Sequence, residues 1–167
     1  MKTVDSLIGN TPIIRLRSLG DASSIMLKIE KNNPGGSIKD RTVLGMILEA
    51  ERSGALKNGM TIVEPTSGNT GIAIAMLSAS RGCGSVIFMP ESASIERVKL
   101  MEAFGAKVIR TLADKGISGS YDEAKSFLRN NPGSIMLDQF NNEANPFFHF
   151  STTGPEIFRQ VNRELDA

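Results

Sequence analysis

Residues 61–82 have the sequence TIVEPTSGNTGIAIAMLSASRG, and this stretch indicates the fold class. Its first residues, Thr61 to Glu64, are mostly β-branched and predict a short strand. The apolar run from Asn69 to Arg81 predicts a helix, which Gly82 ends. The turn between them lies at the carboxyl end of the strand, where open α/β sheets bind their ligands. The stretch therefore predicts one unit of a parallel sheet, with a candidate ligand-binding turn.

The same alternation continues on both sides of this unit. Strands are predicted at 85–89, 107–111 and 134–137, and helices at 37–53, 96–104 and 118–130. Strands that alternate with helices indicate a parallel sheet with helices on both faces. We therefore predict an α/β fold, with a three-layer domain at about residues 36–145.

The two ends of the chain have no obvious place in this domain. Residues 13–16 and 25–29 predict two strands joined by a turn at 20–24, and we assign residues 1–35 to a second, incomplete domain. Residues 146–167 predict a loop followed by a charged helix from Glu156 to Leu165. We expect this segment to lead to the same second domain, so that the chain is the N-terminal portion of a longer protein.

Composition narrows the class of protein. The chain has 19 basic and 18 acidic residues, a balance that gives no electrostatic footprint for nucleic acid. No apolar run approaches the ~20 residues of a membrane span. Cys83 is the single cysteine, so no intramolecular disulfide forms, and no His/Cys cluster suggests a metal. We expect a cytoplasmic enzyme or binding domain.

A glycine-containing motif, NPGGSIKDR at residues 33–41, comes directly before the first long helix. It places Lys39 in the first turn, at the positive end of the helix dipole, where a basic residue is disfavoured. A neutral amine is the form that carbonyl chemistry requires. The residues alone leave two interpretations open, a solvated lysine and a reactive one.

The turn at residues 64–71, EPTSGNTG, suits an anion. Small residues let backbone N–H groups point at a ligand, and the hydroxyls of Thr66, Ser67 and Thr70 add donors. The turn is neither a P-loop nor a dinucleotide fingerprint. The alternative is an ordinary capped turn with Ser67 or Asn69 as the N-cap.

Taken together, the motifs resemble the cysteine synthase (O-acetylserine sulfhydrylase) family of fold-type II pyridoxal-phosphate (PLP) enzymes. The resemblance rests on GNTP at 9–12, NPGGSIKDR at 33–41, TSGNTG at 66–71, MP at 89–90, DQF at 138–140 and TGPE at 153–156. The SIER motif at 94–97 and the pair Asn141-Asn142 look more like the B-type enzyme than cystathionine β-synthase.

The resemblance implies a role for each matching residue. Lys39 would form the Schiff base with PLP and then act as general base, and Asn69 would bind the 3′-oxygen of the cofactor ring. The substrate carboxylate would be bound by Thr66, Ser67, Gly68, Thr70 and Gln139. In the family, sulfide replaces the acetate of O-acetylserine to give cysteine, and a homodimer is implied.

The chain also departs from the family pattern. The glycine-rich loop for the cofactor phosphate, and the Ser or Thr at the pyridine nitrogen, lie beyond Ala167 in the family. We therefore expect the 167 residues alone to have little activity. Two alternatives stay open: a lyase like cystathionine β-synthase or serine/threonine dehydratase, and a non-catalytic or complementing fragment.

Overall fold

A computed structural model describes residues 3–16, 25–162 and 165. The strands are β1 Ile13–Leu16, β2 Ile25–Lys28, β3 Thr61–Pro65, β4 Gly84–Pro90, β5 Lys107–Thr111 and β6 Ser134–Met136. The helices are α1 Lys39–Arg52, α2 Asn69–Ser80, α3 Ile95–Ala103, α4 Gly116–Asn130, α5 Ala144–Phe148 and α6 Gly154–Gln160. Short 3₁₀ turns are Val4–Leu7, Glu30–Asn32 and Ala113–Lys115. The predicted turn at 20–24 lies outside the described residues.

The central feature is a parallel sheet of four strands in the order β5-β4-β3-β6. Val63 pairs with Val86, and Ile87 pairs with Val108, so β4 lies between β3 and β5. Because all four strands are parallel, their carboxyl ends meet at one edge of the sheet. The turn that begins at Thr66 lies at this edge. The predicted α/β fold with a parallel sheet is confirmed.

Side chains alternate between the two faces of the sheet, as the pleat requires. Ile62 and Ile87 join the core that α1, α2 and α3 cover. Val63 and Phe88 point to the other face, where Phe88 meets Phe127 of α4 edge-to-face with the ring centroids 5.8 Å apart. Helices therefore cover both faces, and the three-layer prediction is confirmed.

Helices α1 and α2 pack against each other and run in the same direction. Both contribute to one core, Val43 and Ile47 from α1 and Ile74 from α2. Arg81, directly after α2, donates from Nε to Oε1 of Glu51 in the last turn of α1, at 2.9 Å. Because the two carboxyl ends are joined in this way, the two N-termini also lie at a common end of the molecule. That end carries Lys39 and Asn69.

Strands β1 and β2 form a separate antiparallel pair, in which Ile13 lies opposite Lys28. Ile14, Ile25 and Leu27 on this pair are exposed. The prediction that these strands have no place in the parallel sheet is confirmed. Their assignment to a second domain at 1–35, and the boundaries 36–145 and 146–167, stay predictions.

The segment after residue 143 is more helical than predicted. In place of a loop, α5, a five-residue π-helix at His149–Thr153 and α6 form an almost continuous run. Pro146 lies in the first turn of α5, where its missing N–H is not needed. Pro155 would crowd a regular helix, and the wider π-helical turn before it accommodates its ring.

The last predicted helix is also wrong in extent. Helix α6 begins at Gly154 and ends at Gln160, not at Leu165. Asn162 has a φ of +55°, in the left-handed region, which ends the helical path. Residues 163 and 164 lie outside the described part of the chain. Within that part, no helix is long and apolar enough to cross a membrane.

Candidate active site

Lys39 lies in the first turn of α1, as predicted, and is the first residue of that helix. The chain reaches it through a turn in which Gly36 has a φ of +83°, a conformation that favours glycine. The backbone N–H of Lys39 donates to Oγ of Ser37 at 3.1 Å. The Lys39 side chain is half-buried, and no described residue forms a hydrogen bond or an ion pair with its ammonium group. Its amine is therefore available to a ligand.

Asp40 holds the glycine turn that precedes the lysine. Its side chain is fully buried, Oδ2 accepts the backbone N–H of Gly35, and Oδ1 has no partner among the described residues. Burial raises the pKa of Asp40 to about 6, against the opposing effect of the Gly35 N–H. A Cβ at Gly35 would lie 2.4 Å from Oδ1, so the turn requires glycine at this position.

Arg41 ties the first turn of α1 to two distant parts of the chain. Its guanidinium donates to both carboxylate oxygens of Glu156 at 2.9 and 3.0 Å, and to both of Glu30 at 2.8 and 3.0 Å. Lys28 is a second cation on Glu156. The Glu156 carboxylate also accepts the backbone N–H of Thr11 at 3.0 Å. We call Arg41, Glu30, Glu156 and Lys28 the Arg41 network.

The network shifts the ionisation of its carboxylates. Burial opposes ionisation of Glu156, but hydrogen bonds from Arg41 and Lys28 outweigh burial and lower its pKa to about 2. The pKa of Glu30 is lowered in the same way, with Arg41 again the main donor that outweighs burial. The two cations and two carboxylates balance in charge, which is the arrangement that a buried ion cluster needs.

The turn between β3 and α2 is folded on itself. Thr66 donates its backbone N–H to the carbonyl of Phe88 at 3.0 Å, and its Oγ1 accepts the N–H of Gly68 at 3.2 Å. Helix α2 begins at Asn69, directly after Gly68, and no side chain of the described residues caps it. The alternative interpretation, with Ser67 or Asn69 as the N-cap, is wrong, because Gly68 occupies that position. The N-terminus of α2 thus carries no side-chain acceptor of its own.

Gln139 reaches this turn from the loop after β6. Oγ1 of Thr70 donates to Oε1 of Gln139 at 2.7 Å, and both residues are buried. Nε2 of Gln139 has no hydrogen-bond partner in the described part of the chain. Ser67 and Asn69 are exposed at the same turn. The structure therefore places two hydrogen-bonded pairs at this turn, Thr66 with Gly68 and Thr70 with Gln139, and leaves Ser67 and Asn69 exposed.

Three residues of this region were not predicted from the sequence. Glu64 accepts the backbone N–H of Asp138 and Gln139 at 3.0 Å each. Asn145 donates to the carbonyl of Gln139 at 2.9 Å, and Arg97 donates to the carbonyl of Ser67 at 3.1 Å. Glu64 could have been recognised from the sequence, because it is a carboxylate in an otherwise apolar strand. The roles of Asn145 and Arg97 depend on contacts between segments that are distant in the sequence.

The donor set fits a cofactor with a reactive carbonyl together with an anionic substrate. An unpartnered amine (Lys39), an exposed amide (Asn69) and a free amide N–H₂ (Gln139 Nε2) lie around two helix N-termini, where the backbone favours negative charge. Residues 3–16, 25–162 and 165 contain no group of three or more His, Cys, Asp or Glu side chains that could hold a metal ion.

Known proteins with related sequences include cysteine synthases. Cysteine synthase B of Salmonella typhimurium is 46% identical over 167 residues, which cover 99% of this chain and 55% of that enzyme. Cysteine synthase A of Escherichia coli is 45% identical over 161 residues, 96% of this chain and 50% of that enzyme. The chain thus spans about half the length of the curated relatives it matches. The resemblance to cysteine synthases is confirmed.

Solved structures show the same relationship. An O-ureido-L-serine synthase superposes with a TM-score of 0.93 at 41% identity, over 99% of this chain and 53% of that one. A hydrogen sulfide-producing enzyme from Fusobacterium nucleatum gives a TM-score of 0.94 at 38% identity, over 99% and 56%. The family model described as "Pyridoxal-phosphate dependent enzyme" matches residues 4–167. The chain therefore belongs to the pyridoxal-phosphate dependent enzyme family.

Proposed function

We propose that this chain provides the cofactor lysine and the substrate-carboxylate site of a cysteine synthase. The observation that supports this most strongly is the common end of α1 and α2, where the unpartnered Lys39 begins one helix and Thr70, in the first turn of the other, binds Gln139. The cysteine synthase relatives at 45–46% identity favour sulfide as the incoming group.

The reaction in this proposal is a replacement at the β-carbon of O-acetylserine. The C–O bond breaks, acetate leaves with the bonding electrons, and a C–S bond to sulfide forms at the same carbon. When bound, PLP stabilises negative charge at the neighbouring α-carbon. Lys39 would hold the cofactor until the substrate amine replaces it, and its freed Nζ would accept the proton that the α-carbon loses and return it after the C–S bond has formed.

The remaining residues bind and orient. Asn69, the first residue of α2, would bond the 3′-oxygen of the cofactor ring. The substrate carboxylate takes donors from the turn and from the free Nε2 of Gln139. The carboxylate ligands in this proposal are Thr66, Ser67, Gly68, Thr70 and Gln139. A carboxylate at this position also gains from the helix N-terminus.

The test uses a fused enzyme, which consists of this chain followed by the part of Salmonella typhimurium cysteine synthase B that lies beyond the matched residues. We expect it to form cysteine from O-acetylserine and sulfide. Gln139→Ala removes one charge-assisted hydrogen bond to the carboxylate, so KM should rise about 10- to 100-fold, with a smaller change in kcat. Thr66→Ala should act in the same direction. Steady-state kinetics with varied O-acetylserine measure both effects.

An exposed amide at the end of α4 provides the control. Asn130→Ala should leave both kinetic constants unchanged. If Gln139→Ala and Thr66→Ala also leave KM unchanged, the carboxylate binds elsewhere. If the folded fusion binds O-acetylserine but transfers no sulfide to it, a different incoming group is indicated. The O-ureido-L-serine synthase among the similar structures makes such an outcome informative.

A further inference from the structure

Glu64 is a buried carboxylate that the proposed reaction does not use. It lies near the end of β3, is 1% exposed, and is flanked by the core residues Val63 and Pro65. Each of its oxygens accepts one backbone N–H, Oε2 from Asp138 and Oε1 from Gln139, at 3.0 Å each. The Glu64 carboxylate therefore binds the loop after β6 through two backbone N–H groups of that loop.

The loop that Glu64 grips has an unfavourable backbone conformation. Asp138 has a φ of +53°, which is disfavoured for a residue with a Cβ. Other groups support the same loop. Asn142 donates to the carbonyl of Leu137 at 2.7 Å, and Asn145 to the carbonyl of Gln139 at 2.9 Å. These amides hold carbonyl groups, whereas Glu64 holds the two N–H groups at the bend.

The conformation of this loop affects the turn between β3 and α2 through the side chain of Gln139. The backbone of Gln139 is fixed by Glu64, and its Oε1 is fixed by the hydroxyl of Thr70 in α2. With both of these in place, Nε2 is the one polar end of Gln139 left to donate. The chain of contacts runs from Glu64 through the backbone at 138–139 to the Gln139 amide.

We propose that Glu64 is a positioning residue for substrate binding, because it sets the loop conformation that presents Nε2 of Gln139 to the substrate carboxylate. This inference rests on the proposed carboxylate role of Gln139. It adds to that role a residue that touches neither substrate nor cofactor and acts through two backbone N–H groups.

The ionisation of Glu64 gives the proposal a distinctive signature. Burial raises the pKa of Glu64 to about 7, opposed by the N–H groups of Gln139 and Asp138 and assisted by the charge of Asp138. The ionised form accepts both N–H groups more strongly. The hydrogen bonds from Glu64 to the loop should therefore strengthen as the pH rises through about 7. The raised pKa has the opposite effect on global stability: its contribution to the free energy of unfolding is fully present below pH 4.5 and is lost as the pH rises through about 7.

The first test needs neither cofactor nor activity. In ¹⁵N-labelled chain, the amide resonances of Asp138 and Gln139 should titrate with a midpoint near pH 7, and Glu64→Gln should abolish this titration. Glutamine accepts at one oxygen only, so exchange of one of the two amide hydrogens should become about 10- to 100-fold faster. Glu123→Gln, at an exposed site, is the matched control and should change neither. Amides that titrate identically in wild type and Glu64→Gln would overturn the proposal.

The second test separates positioning from general stability. In the fused enzyme, Glu64→Gln should raise KM for O-acetylserine about tenfold and change kcat less than about threefold. The same change in a Gln139→Ala background should have little further effect on KM, because both substitutions act on one contact. If Glu64→Gln alters the amides but not KM, while Gln139→Ala raises KM, the positioning role is wrong and the proposed function stands. If Gln139→Ala itself has no effect, the carboxylate site fails and the positioning role fails with it.

Discussion

Lys39→Ala is expected to lower kcat of the fused enzyme by about 10³-fold or more. The substitution removes the amine that holds the cofactor and the base that takes the α-proton, and a positioned base alone contributes about 10²–10⁴-fold. The fold should be unaffected, because the side chain is half-buried and bonds to no described residue. The free energy of unfolding should change by less than about 0.5 kcal/mol.

A lysine away from the site controls for the loss of charge. Lys57 is exposed and its carbonyl contacts Cys83, just beyond the C-terminal end of α2, so Lys57→Ala should leave kcat unchanged. Added PLP should restore no activity to Lys39→Ala, since the missing group belongs to the protein. If the Lys39→Ala enzyme keeps more than a tenth of the wild-type kcat, another residue performs the proton transfer.

Arg41→Met is expected to lower the free energy of unfolding by about 3–5 kcal/mol. It leaves the buried carboxylate of Glu156 and the partly buried carboxylate of Glu30 without their main partner, and a buried charge that loses its partner carries a penalty of this size. Arg41→Lys keeps the charge but loses the two forked pairs, so it should fall between wild type and Arg41→Met. Urea unfolding of the 167-residue chain measures all three.

The exposed pair Arg52 and Glu49 is the matched control for this prediction. The Arg52 side chain is 75% exposed, and Arg52→Met should cost less than about 1 kcal/mol. The pH dependence adds a second signature. The lowered pKa of Glu156 contributes stability that is present above pH 4.5 and lost as the pH falls toward about 2, and Arg41→Met should flatten this acid limb. Equal effects of Arg41→Met and Arg52→Met would contradict the network's role.

The regular part of the fold could be predicted because its signals are local. Neighbouring residues alone predict the strand that contains Ile62 and Val63, and they also predict the helix ends at glycine. The predicted strand at 107–111 and the start of α2 at Asn69 agree with the structure for this reason. Lys39 was placed correctly because the turn before it is also local.

The rest depends on contacts that spacing does not reveal. A loop was predicted after residue 145, although Pro146 lies where a helix begins and Pro155 follows a π-helical turn. The bond from Thr11 to Glu156 joins residues 145 positions apart. The role of Glu64 depends on the left-handed backbone conformation of Asp138, which the residue type at position 138 does not by itself predict.

The residue that holds the cofactor is tested most directly by finding where the cofactor attaches. The fused enzyme is incubated with PLP, reduced with borohydride, digested and mapped by mass spectrometry. We expect one pyridoxyl group per chain, on the peptide that contains Lys39, and none in Lys39→Ala. A stoichiometric label on Lys28, Lys31, Lys57 or a lysine of the fused partner segment, with Lys39 unmodified, would contradict the assignment.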